Sequence, residues 1–235
     1  MSAVRRSRPR RARRRHRVPE LAALENERRQ EHRMASTRKQ EISEETRRRL
    51  VKAAAELAAE GGSTAMSVQA VAERSGISRG SVAWHFGSKD GLLRAVVEDA
   101  FRWGMEKLRA ELASSSATGI EALIEANFVL MSYPEARIFS TILIEAVIPG
   151  STIRETYAEQ YVAMRTLYAD YLRSIDTPVT NPELVAVTLL AGTLGINLQH
   201  RLDPDNVDRR SAVTELESIY ARAMAPTTTS GHENP

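Results

Sequence analysis

The stretch "SVQAVAERSGISRGSVAWHF" (67–86) constrains this chain more than any other. Ser67 and Ser78 are each placed to cap a short helix, side-chain oxygen on orphan backbone N–H groups. Gly76, between them, supplies the positive φ that a tight helix-to-helix turn commonly demands. The spacing predicts a helix over "VQAVAERS", a turn, and a second helix from Ser78 to about His85. Val71, Ala72, Ile77 and Val82 are its inner contacts, Ala72 being small where the two helices cross. This is the layout of a helix-turn-helix.

With those four positions turned inward, the rest of the second helix faces out. A recognition helix enters the DNA major groove by its amino-terminal end, where backbone N–H groups and the helix dipole favour phosphate. Arg79, Ser81, Trp84 and His85 are presented there. Arginine can bond guanine bidentately, serine can bond base or phosphate, and an aromatic can meet a thymine methyl or pack along the backbone. A three-helix unit that merely packs would share the apolar positions but would not need such a concentration of donors. The preceding helix adds positive charge: Leu50, Ala54, Leu57 and Ala58 repeat on one face while Arg47, Arg48, Arg49 and Lys52 lie mostly away from it. Gly61-Gly62 ends that helix.

Charge is distributed to match. The net +3 of the 235 residues resolves into +8 over residues 1–36, +3 over 37–89 and −8 over 90–235. A basic first third joined to an acidic remainder suggests that one end meets a polyanion. "RRSRPRRARRRHR" (5–17) holds nine arginines and no acid, so residues 1–36 are expected to be a disordered extension. The run could track phosphates; equally, Met34 opens "MASTRKQEISEETRRRL", which reads as a start of its own.

The residues quoted so far carry a family resemblance. "SVQAVAERSGISRGSVAWHFGSKDGLL" (67–93) resembles the DNA-binding region of TetR-family transcriptional regulators. Gly76, Ile77 and Ser78 match the family's Gly-Val-Ser turn, Gly80 and Ser81 its Gly-Thr step, and "HFGSKDGLL" its His-Phe-x-Ser-Lys-x-x-Leu run. The resemblance covers roughly residues 42–100. It implies DNA contacts from Arg47, Ser67, Gln69, Ser78, Arg79, Gly80, Ser81, Trp84, His85 and Lys89. It also implies a homodimer and an all-helical second domain that binds a small-molecule effector and tunes DNA affinity. Ala83 departs from the pattern, because the family usually has a tyrosine there that contacts phosphate.

The expected fold is therefore all-α: a helix-turn-helix domain at 37–89, a helical ligand-binding and dimerisation domain at 90–225, and a disordered tail at 226–235. The amphipathic helix 89–112 leaves the first domain and enters the second. Further helices are expected near 118–131, from Pro134 to the stop at Pro149-Gly150, after a Thr152-x-x-Glu155 capping box, after an Asn181 cap with Pro182 first, and from Asp205 to about Ala225. The helix 183–201 is apolar almost all round, which implies burial on most sides. Pairing with the final helix across a two-fold axis would supply that burial, with Leu190, Ala191, Gly192, Gly195, Leu198, Leu216, Ile219 and Tyr220 at the seam. Trp103, Met105, Phe128, Met131, Phe139, Tyr157, Tyr161, Met164 and Asn197 are the candidates for an adaptable ligand pocket, although the same residue types serve as plain core.

Other classes fare worse. With no cysteine, there is no disulfide framework, thiolate metal site or cysteine nucleophile, which fits a cytoplasmic location. The longest uncharged apolar run, 184–198, is short of the roughly 20 residues that span a membrane, so no membrane partner is expected. The five histidines have no metal-ligand spacing, and neither a phosphate loop nor a Gly-x-Ser-x-Gly elbow is present. Neither catalysis nor a cofactor is expected. The readings are thus a ligand-responsive repressor on a palindromic double-stranded operator, an activator or ligand-independent DNA binder, or a helical interaction module that does not touch DNA.

Overall fold

A computed structural model of the chain describes residues 17–176 and 179–224, and every regular element among them is a helix. In chain order these are α1 (Arg17–Ala65), α2 (Val68–Ser75), α3 (Arg79–Phe86), α4 (Lys89–Ser114), α5 (Gly119–Leu130), a 3-10 turn (Pro134–Arg137), α6 (Ile138–Thr141), α7 (Leu143–Val147), α8 (Arg154–Ser174), α9 (Pro182–Leu202) and α10 (Arg209–Met224). The all-α fold is as the sequence reading has it.

The chain divides into two compact units after Arg48. In the first, helix begins at Arg17, whereas the sequence reading expects disorder as far as residue 36. Past Pro19, "ELAALENERRQEHRMAS" consists mostly of strong helix formers with mixed charge, and it lacks the like-charge repulsion that the expectation drew from the arginine run. Residues 5–16 of that run lie outside the described residues, as do residues 226–235.

In the second unit, two glycines interrupt α1 shortly before its end at Ala65. Gly61 and Gly62 leave helical φ/ψ, and Gly62 takes φ +68°. Leu50, Ala54, Leu57 and Ala58 of α1 are buried in one core with Met66, Val71, Val82, Leu92 and Val96. α4 packs against α3 near its start and against α5 and α8 further on, so the expected division at residue 89 is bridged by a continuous helix. Its entry is tight. A Cβ at Gly91 would collide with the Phe86 carbonyl oxygen, so only glycine lets α4 begin beneath the end of α3. Gly91→Ala must displace the turn at 86–88 and is expected to cost about 1–3 kcal/mol. Thermal denaturation followed by circular dichroism checks this; an unchanged Tm would mean that the turn yields freely.

Several helix ends differ from expectation. The segment after Pro134 is three short pieces, broken at Ile142, where φ is −96°. The Thr152–Glu155 capping box does not form: α8 starts at Arg154 after Ile153, with no side-chain cap bond. Asp208, not Asp205, caps α10, its carboxylate accepting from the Ser211 N–H at 2.8 Å. Asn181 does cap α9, accepting from Leu184 at 3.1 Å. On α9 itself the expectation of burial on most sides fails within one chain: Ala186, Leu189, Thr193 and Asn197 form a single buried stripe, while Leu184, Val187 and Ala191 are exposed.

Candidate nucleic-acid interface and effector cavity

The turn between α2 and α3 is built by local hydrogen bonds. The Ser67 side chain accepts from the Ala70 N–H at 3.0 Å and that of Ser78 from the Ser81 N–H at 3.2 Å. Gly76 ends α2 at φ 69°, ψ 22°, its N–H donating to the Ala72 carbonyl. Arg49 donates to the Ser75 carbonyl at 2.8 Å, and Arg74 forms a bidentate pair with Glu60, so these two guanidiniums brace α2 rather than reach outward. Val71 and Val82 are buried on the inner side, with Ile77 half-buried.

On the outer side α3 presents Arg79, Gly80 and Trp84, all exposed. Trp84 is 73% exposed, a large apolar surface for an isolated residue, and its ring meets that of His85 edge-on at 4.5 Å. Arg79 and Lys89 are exposed and form no ion pair among the described residues. The Ser78 and Ser81 hydroxyls bond each other at 3.0 Å, so each would have to share its hydrogen bond with a phosphate. Gln69 donates to Glu73, and Arg47 is exposed in the unit that ends at Arg48. Of the ten residues implied by the resemblance, Ser78, Arg79, Gly80, Ser81, Trp84, His85 and Lys89 thus cluster on or beside one short helix.

The candidate pocket residues separate into groups. Met131, Phe139, Tyr161 and Met164 line an inner cavity of about 40 Å³, together with Phe101, Asn127, Leu130, Leu190, Thr193 and Leu194. Phe101 is its hub, meeting Phe139, Tyr157 and Tyr161 edge-on at 5.0–5.5 Å. The sequence reading missed Phe101 and Asn127. Among the described residues no charged side chain lines the cavity, and the buried Asn127 Oδ1 has no hydrogen-bond partner, although its amide nitrogen donates to the Tyr168 hydroxyl at 2.6 Å. Tyr157 lies outside this lining, donating its hydroxyl to the Phe139 carbonyl at 2.6 Å; burial, reinforced by Tyr161, pushes that hydroxyl's pKa far above the ordinary phenol range. Trp103 packs on Tyr133, Met105 is half-buried on α4, and Phe128 lies beneath the guanidiniums of Arg209 and Arg210, so none of the three reaches the cavity. Asn197 faces a separate cleft.

At the expected seam, Ala191 is exposed and Leu190, Gly195 and Leu198 are half-buried. Gly192 faces inward: a Cβ there would lie 3.1 Å from Leu216 of α10 in the same chain. Tyr220 donates to Thr188 at 2.6 Å, and Ile219 is 50% exposed.

Two capped helices joined through a left-handed glycine, the second carrying an exposed polar and aromatic face, define a helix-turn-helix protein. Residues 50–96 match the model of the bacterial regulatory proteins of the tetR family. The chain is 34% identical over 106 residues to the HTH-type transcriptional regulator SrpR of Pseudomonas putida, a match covering 43% of this chain and 47% of SrpR. It is 33% identical over 106 residues to the uncharacterized HTH-type transcriptional regulator TtgW, also of Pseudomonas putida, covering 43% of this chain and 75% of that one. The chain therefore spans about half the length of the first of these relatives. A transcriptional regulator of Rhodococcus sp. Rha1 has a similar fold, with TM-score 0.59 and 25% identity over 76% of this chain and 95% of the other. The chain belongs to the tetR family of bacterial regulatory proteins.

No helix among the described residues is long and apolar enough to cross a membrane, and no group of three or more His, Asp or Glu among them could hold a metal ion.

Proposed function

We propose that this chain is a transcriptional repressor that binds a palindromic double-stranded DNA operator as a homodimer and loses affinity when a small molecule enters its second domain. In this reading residues 37–89 are the DNA-binding domain and 90–225 the effector and dimerisation domain, working in the cytoplasm and without catalysis. The observation that carries it is the outer face of α3, where Arg79, Gly80 and Trp84 are exposed at the start and middle of a helix held from behind by Val82. Arg79 is the base reader, Lys89 meets the phosphate backbone, and Trp84 takes up contact that Ala83 cannot make. The exposed apolar face of α9 favours a second copy as the dimer partner. Two recognition helices about 34 Å apart, one turn of DNA, would require an approximately palindromic site.

The test is duplex binding by fluorescence anisotropy at two salt concentrations, after selection of a preferred site from random DNA. A DNA reader has a steep salt slope; a packing module has none. Arg79→Ala is expected to cost about 1–3 kcal/mol on the preferred site and to relax preference there, whereas Lys89→Ala weakens all sequences alike and flattens the slope by about one. Equal losses on preferred and random duplex for both variants would remove Arg79 from the reading role.

A further inference from the structure

Beside the inner cavity, and sharing Met131 with it, lies a cleft of about 520 Å³ whose lining includes Tyr133, Arg137, Asn197, His200, Arg201 and Arg209. Three guanidiniums from three elements line it, and among the described residues no carboxylate does. Arg210, next in the chain to Arg209, forms a two-point pair with Glu125 and holds that carboxyl below its ordinary pKa. The three arginines of the cleft form no ion pair among the described residues.

Their neutral partners fix the guanidiniums without discharging them. Arg209 donates to the Met131 carbonyl at 2.9 Å, to Asn197 Oδ1 at 3.1 Å and to the Ser132 hydroxyl at 2.6 Å. Arg201 donates to the Ser140 hydroxyl and, at 3.4 Å, to the Arg137 carbonyl. Burial, then the charge of Arg137, lowers the pKa of Arg201, and burial followed by Arg210 does the same for Arg209. Asp203 and Asp208, in the neighbouring loop, are turned to Asn206 and to the Ser211 N–H. Arg137 and Arg201 are exposed and Arg209 is half-buried, so an anion can reach all three, and positive charge gathered in a cleft raises the local concentration of anions.

We propose that this cleft binds the oxyanion head of an organic acid, a carboxylate or a phosphate ester, with Arg137, Arg201 and Arg209 on the head and the apolar body lying along Met131, Tyr133 and Pro134 toward the inner cavity. Planar guanidiniums suit both heads because each offers two parallel N–H donors to two oxygens. The cleft is within the 300–1,000 Å³ range of small-molecule sites. The inference names the chemical class of the effector and rests on the effector half of the proposed function.

Calorimetric titration of the full chain with octanoate, octyl phosphate, inorganic phosphate and 1-octanol tests it. At least one octyl oxyanion is expected to bind about tenfold or more tightly than octanol. Which of the two binds more tightly distinguishes a carboxylate from a phosphate ligand, and weaker binding of inorganic phosphate shows that the apolar body contributes. Arg137→Gln with Arg201→Gln should abolish the preference for the charged probes, Arg137→Gln alone should reduce it, and Arg109→Gln on α4 should leave it intact. Arg137 makes no side-chain hydrogen bond among those described, so its single variant keeps the test valid if the double variant unfolds. Octanol binding as tightly as the acids, an Arg137→Gln protein with undiminished preference, or no binding of either octyl oxyanion would overturn the site. The titration contains no DNA, so its failure is distinct from a failure of the duplex assay.

Discussion

In the proposed homodimer, Ala191→Arg should shift the protein to monomer at micromolar concentration while leaving each chain folded. Leu184, Val187 and Ala191 are exposed along one side of α9, with Leu194, Gly195 and Leu198 half-buried beside them and Ile219 of α10 exposed. They recur every three or four residues, the spacing of one helix face. Water against such a stripe is unfavourable, and a second copy presenting the same stripe across a two-fold axis removes it from water on both sides. A guanidinium at position 191 would then be buried in each protomer without a partner, at a cost of several kcal/mol per ion. Since about 1.4 kcal/mol is tenfold, dimer affinity should fall by about a hundredfold or more, and the advantage of a palindrome over a half-site should vanish with it. Sedimentation velocity and anisotropy on the two DNA forms measure both effects; far-UV circular dichroism at 25 °C should be unchanged because Ala191 is exposed in the single chain, while the Tm should fall and cease to depend on protein concentration as the stabilisation by the partner is lost. A variant that remains dimeric would place the dimer seam elsewhere. Gly192→Leu cannot serve the same purpose, because Leu216 of the same chain occupies the space its side chain would need.

What the sequence made legible follows from how local the physics is. Ser67, Gly76 and Ser78 could be placed because a cap bonds a backbone group three residues on and a left-handed residue needs no distant partner. Asn181 with Pro182 was readable for the same reason. The Thr152–Glu155 box satisfied the same local rule and still did not form, because α8 begins two residues later, at Arg154. The break at Ile142 carries no turn residue and left no sign. On α9, hydrophobicity pointed to burial but could not say whether the same chain or another supplies it. The cleft was least legible of all: Arg137, Arg201 and Arg209 stand on three elements, and nothing in their separate surroundings announces that they converge.

Phe101 shows the same limit from the other side, and it carries the largest expected loss of stability. Its ring, which no sequence motif singles out, joins Phe139, Tyr157 and Tyr161 and forms one wall of the inner cavity. At 3% exposure, truncation to alanine removes nearly all of its packing, so Phe101→Ala is expected to cost about 3–5 kcal/mol. For a chain of this size that corresponds to a fall in Tm of about 6–20 °C. The cavity of about 40 Å³ would gain roughly the volume of the lost ring and, lined mainly by apolar groups, would accept a small apolar guest. Benzene or indole should therefore raise the Tm of Phe101→Ala by several degrees and that of the unaltered protein by much less, because binding to the folded state alone stabilises it by mass action. The shape of the cavity adds a second check. A Cβ at Gly104 would lie 2.7 Å from Cζ of Phe139, so Gly104→Ala should press that ring toward the cavity and, combined with Phe101→Ala, reduce the benzene effect. If benzene moves both Tm values equally, or if Phe101→Ala melts with the unaltered protein, the ring is not the support of this wall.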